Sequence, residues 1–212
     1  MALTPDPDFT FGPWTSGDAV VGPALVAYRD DGYPADLTDA TVTNGWLADP
    51  AGIRYPATVA VDADPSTLAY TLDGDEFTAP GVWTLAADVA TGGNRFRTTP
   101  ASFVVEATDG WLTLAAARDS WRDAPDDDVV LWRLLAMARE QVEAYAPAIQ
   151  WSTPPPNYVT AQHTQARNIW NAVKTDPANQ GIGDEAFTIR PFPMDWTVKQ
   201  MIRPARAVPV VR

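Results

Sequence analysis

The residues able to do chemistry are few, and their spacing is informative. His163 is the only histidine in the chain. It lies inside a helical pattern, one turn from Val159 and beside Ala166-Arg167, and no Ser or Asp motif points to it, so a structural or surface role is expected. Asp126-Asp127-Asp128 follows Pro125 at the start of a helical pattern. Carboxylates there cap orphan N–H groups and favour the helix dipole, which accounts for the run better than a metal does. Asp73, Asp75 and Glu76, and separately Asp62 and Asp64, lack the D-x-D-x-D-G spacing of a calcium loop and read as turn residues. Gly92-Gly93 and Gly181-Ile182-Gly183 are not followed by Gly-Lys-Ser/Thr, so neither is a phosphate loop. No G-x-S-x-G occurs. With no Cys there is no thiolate nucleophile, disulfide or Cys metal site. The expectation is a protein without catalysis, cofactor or metal.

The 212 residues carry a net charge of −12, all of it in the first half. Residues 1–110 hold 4 Lys+Arg against 16 Asp+Glu, whereas residues 111–212 hold 11 of each. An acidic first half repels nucleic acid and is a poor candidate for DNA binding. The asymmetry also suggests two units. At 46% hydrophobic and 20% charged, with nine Trp, the chain has a globular composition. The N-terminus lacks the basic and apolar regions of a secretory signal, and no apolar run is long enough to span a membrane.

Residues 18–107 read as short strands: Val20–Tyr28, Ala40–Leu47, Ala57–Val61, Trp83–Val89 and Phe103–Val105. Between them fall turn clusters at Asp30-Asp31-Gly32, Asp49-Pro50-Ala51-Gly52, Asp64-Pro65-Ser66, Asp73-Gly74-Asp75 and Gly92-Gly93-Asn94. Trp83, Leu85, Ala87 and Val89 alternate onto one face. The pattern predicts an all-β, Ig-like sandwich over 1–108, held by apolar packing alone.

The period becomes helical at Asp109-Gly110. A helix over 114–122 is capped by Thr113, and one over 127–145 by Asp126. The second carries the stripe Leu131, Leu134, Leu135, Ala138, Val142 and Tyr145. After the stiff Thr153-Pro154-Pro155-Pro156, Asn157 caps a helix over 158–174 whose buried side is Val159, Ala166, Ile169, Trp170 and Val173. Residues 175–188 read as an exposed loop, and Asp195 caps a short helix carrying Trp196, Met201 and Ile202 that ends before Pro204. The second domain, 109–212, is thus a small α-helical bundle.

Its last stretch is both basic and apolar. Arg190, Lys199, Arg203, Arg206 and Arg212 face only Asp195. Among them lie Phe192, Met194, Trp196, Met201, Ile202, Val208, Val210 and Val211. Such a segment either packs on its own domain or docks into a partner, and aromatic and Arg residues are common interface anchors.

Three segments carry a resemblance. Asp109-Gly-Trp-Leu-Thr-Leu-Ala-Ala-Ala-Arg-Asp-Ser-Trp, Leu131-Trp-Arg-Leu-Leu-Ala-Met-Ala-Arg-Glu-Gln-Val and Met194-Asp-Trp-Thr-Val-Lys-Gln-Met-Ile-Arg-Pro resemble head-to-tail adaptor (connector) proteins of long-tailed actinobacteriophages. Tyr28-Arg-Asp-Asp-Gly-Tyr-Pro-Ala-Asp-Leu-Thr and Ala79-Pro-Gly-Val-Trp-Thr-Leu are similar to Ig-like modules of phage structural proteins. The resemblance implies a virion neck protein, assembled in the host cytoplasm, that forms a homo-oligomeric ring, usually dodecameric, between the portal protein and a stopper or tail-completion protein. Genomic DNA would pass through the channel without sequence-specific binding. The portal and neck contacts would come from Arg190, Phe192, Met194, Trp196, Lys199, Met201, Ile202, Arg203, Arg206, Val208, Val210 and Arg212. The large N-terminal β-domain departs from the minimal adaptor. A competing expectation is an Ig-like adhesion or carbohydrate-binding module on a helical stalk, with Trp14, Trp46 or Tyr55 as the aromatic platform.

Overall fold

A computed structural model describes residues 2–5, 14–15, 20–21, 25–28, 36–64, 66–72, 77–98, 100–147, 153–175 and 193–203. The chain divides into two compact units, residues 1–108 and residues 109–212.

The first unit is built from two β-sheets. In one, β1 (Ala2–Pro5) pairs with β4 (Leu25–Tyr28), and β4 pairs with β8 (Thr67–Leu72). β8 also pairs with β3 (Val20–Val21) and with β7 (Thr58–Val61). In the other, β2 (Trp14–Thr15) runs parallel to β11 (Ala101–Glu106), and the order continues through β9 (Gly81–Thr91) and β5 (Thr41–Ala48) to β6 (Arg54–Pro56). β10 (Asn94–Arg97) folds back on β9 through Gly92 and Gly93, at φ 56° and 79°. Two positive φ values in a two-residue loop suit the twist of a hairpin and need glycine.

Of the expected stretch Val20–Tyr28, residues 20–21 and 25–28 are described, and both parts are strand paired with β8. β1, β2, β6, β8 and β10 were not foreseen, although Leu68, Tyr70 and Leu72 of β8 alternate with Thr67, Ala69 and Thr71. The expected turns at 30–32 and 73–75 lie outside the described residues.

One apolar core joins the two sheets. Leu68 and Tyr70 come from β8, while Leu47, Trp83, Leu85, Val89, Phe103 and Val105 come from β5, β9 and β11. Trp83, Leu85 and Val89 share the expected face and are fully buried. The Trp83 ring meets Phe77 edge-on at 5.4 Å, and its Nε1 donates to the Ala79 carbonyl at 2.9 Å. The largest side chain in the core thus leaves no unpaired donor.

Gly45 of β5 lies tightly against Ala57 and, in β7, Val59. Ala57 N donates to the Gly45 carbonyl at 2.9 Å. A Cβ on residue 45 would collide with the Ala57 carbonyl oxygen and with Val59 Cγ2. Gly45→Ala is expected to destabilise the β-unit by about 1–3 kcal/mol, measured as a lowered midpoint in chemical denaturation.

The second unit is helical: α1 (Leu114–Ser120), α2 (Asp128–Tyr145), α3 (Pro156–Thr175) and α4 (Trp196–Ile202). Thr113 caps α1, accepting from Ala116 N. α2 is capped by Asp127, not Asp126, with Oδ1 accepting from Val130 N at 2.9 Å. Arg118 explains the shift of one residue. Its Nη2 donates to the Asp126 carbonyl at 2.8 Å and pairs with Asp128 at 2.6 Å, which holds Asp126 outside the helix. Along α2, Leu131, Leu134, Leu135, Ala138 and Val142 are buried as the stripe requires, but Tyr145 is 41% exposed.

α3 begins at Pro156 rather than after an Asn157 cap. Proline fits the first helical position because its missing N–H would be unpaired there anyway. Asn157 is freed to donate through Nδ2 to the Met201 carbonyl at 2.8 Å. The buried side of α3 is Tyr158, Ala161, Gln162, Gln165, Ala166, Ile169 and Val173, so two glutamines occupy core positions while Val159 and Trp170 are only half-buried. Among the described residues, no helix is long and apolar enough to cross a membrane.

Candidate docking surface on the C-terminal helix

The chemistry-bearing residues are mostly engaged in holding local structure. Asp49 Oδ1 accepts from Ala51 N and Ile53 N, and Asp64 Oδ1 accepts from Ser66 N and Ser66 Oγ. The Ser66 backbone N–H first, and then its hydroxyl, hold the Asp64 carboxyl below its usual range. Asp73, Asp75, Glu76 and residues 181–183 lie outside the described residues.

His163 is half-buried on α3, with its ring edge-on to Trp121 at 6.2 Å. Its Nε2 sits 3.4 Å from Ser120 Oγ. That pair is poorly set for nucleophile activation. The Ser120 hydroxyl proton is directed to the Ala116 carbonyl at 2.9 Å, so the serine has no proton to give the imidazole. Desolvation, and then the nearby Arg167 charge, push the His163 pKa below its ordinary value.

α4 differs because its two faces do different work. Val198 and Ile202, at i and i+4, are buried and pack with Trp111, Val142, Tyr158 and Ala161, with Met194 and Met201 at the edge. Beside that anchor run Trp196, Lys199 and Arg203, at i, i+3 and i+7, with Trp196 and Arg203 exposed and Lys199 half-buried. Trp196 is 59% exposed, with the Arg203 guanidinium 5.1 Å from its ring centre. Lys199 Nζ lies 5.6 Å from the ring centre of Tyr145 at the end of α2. Each exposed aromatic thus has a cation over its face, worth about 0.5–1 kcal/mol apiece. An exposed Trp flanked by cations is the composition that anchors protein interfaces.

Of the residues expected at the portal and neck contacts, the structure brings Trp196, Lys199 and Arg203 together on this outward stripe. Ile202 is 1% exposed, and Met194 and Met201 are half-buried in the same cluster, so these three serve the unit's own core. Arg190, Phe192, Arg206, Val208, Val210 and Arg212 lie outside the described residues. Two participants escaped the sequence reading. Val198 was legible in the i, i+4 spacing with Ile202, but Tyr145 read as the last residue of a buried stripe.

Two of the aromatics considered for ligand binding on the β-unit have partners within it. Trp46 is 9% exposed, with the Arg54 guanidinium 4.2 Å from its ring centre. Tyr55 packs 6.1 Å from Trp83, and its hydroxyl donates to Asp49 Oδ2 at 3.3 Å. The Trp14 side chain lies outside the described residues.

The chain matches no protein-family model and no curated protein.

Two outcomes test this arrangement. Ile202→Ala is expected to cost about 2–4 kcal/mol of stability, whereas Trp196→Ala costs about 0.5 kcal/mol or less; thermal melts of the two variants check the contrast. The His163 shift sets a pH dependence. A histidine pKa lowered in the fold stabilises fully above its unfolded value of about 6.5. That contribution is lost as pH falls through 6.5 towards the folded pKa. Melting temperature is expected to drop between about pH 7.5 and 5.5, with a smaller drop in His163→Gln.

Proposed function

We propose that the chain is a non-catalytic structural protein of a tailed-phage neck: a head-to-tail adaptor that forms a ring between portal and tail and carries an Ig-like domain. The observation that carries the reading is α4, a helix tied to its own bundle through Val198 and Ile202 that turns Trp196, Lys199 and Arg203 outward. That is an element built to dock protein. The sequence on either side of it is also basic and apolar, a composition suited to binding the portal.

Strand pairing supports the Ig-like reading of the β-unit. The order β1-β4-β8-β7 corresponds to A-B-E-D, and β5-β9-β11 to C-F-G, in the same chain order. The charge balance supports a conduit. Residues 111–212 are neutral and would neither repel nor trap passing DNA.

Electron microscopy and light scattering of the purified chain, alone and with its cognate portal protein, test the proposal. Closed rings that co-migrate with portal are expected. A stable monomer that never binds portal would contradict it.

A further inference from the structure

The helical unit has a second feature, at the end opposite α4. The α1–α2 turn and the last turns of α3 border a shallow, open cleft of about 540 Å³. Pro125, Val130 and Trp170 supply apolar lining, Asp123, Asp126 and Asp127 supply carboxylates, and Arg122 and Lys174 supply cations, so acid exceeds base by one charge. Trp170 is fixed in place, its Nε1 donating to the Asp123 carbonyl at 3.1 Å. Lys174 lies 5.0 Å from the centre of the Trp170 ring. Asp127 is half-used as the α2 cap, but the exposed Asp123 and Asp126 have no such task.

The two ends are complementary. One presents an exposed indole with two cations, Lys199 and Arg203. The other presents a Trp-lined cleft whose three carboxylates outnumber its two cations, Arg122 and Lys174. An exposed indole is satisfied by a concave apolar receptor, and rim cations by carboxylates. α4 cannot reach the cleft of its own unit. It packs on the C-terminal end of α2 and the N-terminal end of α3, through Val142, Tyr158 and Asn157. The cleft lies at the start of α2, and an 18-residue helix is about 27 Å long.

We propose that the α4 stripe of one copy docks in the α1–α2 cleft of the next copy, with Trp196 entering the cleft and Lys199 and Arg203 meeting Asp123 and Asp126. The contact joins unlike surfaces, so every copy keeps a free stripe at one end and a free cleft at the other. A heterologous contact of this kind closes into a ring when its rotation permits. The inference rests on the ring reading above and assigns this stripe to the neighbouring copy, which leaves the portal to residues outside α4.

Paired charge reversals test it in the full-length chain. K199E/R203E and D123K/D126K each leave the Asp127 cap and the Val198–Ile202 anchor intact. Each variant alone is expected to weaken self-association on the order of tenfold or more, by sedimentation velocity at low salt. Mixed in equal amounts, they should re-associate, since each reversed stripe then meets a reversed cleft. Circular dichroism confirms folding, and Trp196→Ala, which leaves every charge in place, should weaken association independently. If the wild type assembles and the reversals leave its association unchanged, this contact is wrong while the ring reading survives. If K199E/R203E loses portal binding but still self-associates, the stripe belongs to the portal and the proposal falls. A wild type that stays monomeric, alone and with portal, removes the ring reading itself.

Discussion

The helical unit turns on one buried amide. Gln162 is 2% exposed, in the middle of α3. Its Oε1 accepts from Leu112 N at 3.0 Å, and its Nε2 donates to the Leu135 carbonyl at 3.1 Å. One side chain therefore connects the segment leading into α1, the centre of α2 and α3. Apolar contacts alone would let these elements slide, because dispersion and burial are nearly indifferent to small translations. The amide is not indifferent. Shifting any of the three segments leaves a buried donor or acceptor unpaired, at about 1–3 kcal/mol each. Gln165 adds a second bond across the same seam, donating to Gln141 Oε1 at 2.8 Å.

The position of α4 follows from that register. Its anchor residues pack against Val142 of α2 and Tyr158 and Ala161 of α3, and Asn157 holds its last turn through the Met201 carbonyl. Near the start of the unit, Arg139 binds Asp109 at 2.6 Å and Glu143 at 2.9 Å, with its guanidinium 5.0 Å from the centre of the Trp111 ring. Trp111 belongs to the cluster that receives α4. The outward direction of Trp196, Lys199 and Arg203 is thus a consequence of how the bundle is locked. The proposed docking depends on a stripe held rigidly, because little ordering entropy then remains to be lost on association.

Much of this was legible in the residues. Apolar period located α1 and α2, the alternation of Trp83, Leu85 and Val89 located the central strand, and the spread of charge placed a change of character near Asp109. The misses have physical causes. Gln162 and Gln165 were not named on the buried side of α3, because a glutamine becomes a core residue only when partners from other segments meet it. The cap of α2 moved from Asp126 to Asp127 because Arg118, distant in the helical pattern, holds the preceding carbonyl. Asn157 resembles a cap in every local respect, yet its amide serves α4, 44 residues away. Within the docking segment, composition alone could not separate inward from outward residues. Trp196 and Ile202 are both large and apolar, and only the helical phase set by Val198 leaves one exposed and the other buried.

Hydrogen exchange across α4 tests the central claim most directly. Amides of residues 196–203, compared between dilute monomer and assembled chain, should already be partly protected in the monomer through the Val198–Ile202 anchor and should slow further on assembly. The β5–β6 hairpin should exchange equally in both states. Unchanged exchange across α4 in a chain that has demonstrably assembled would contradict the account.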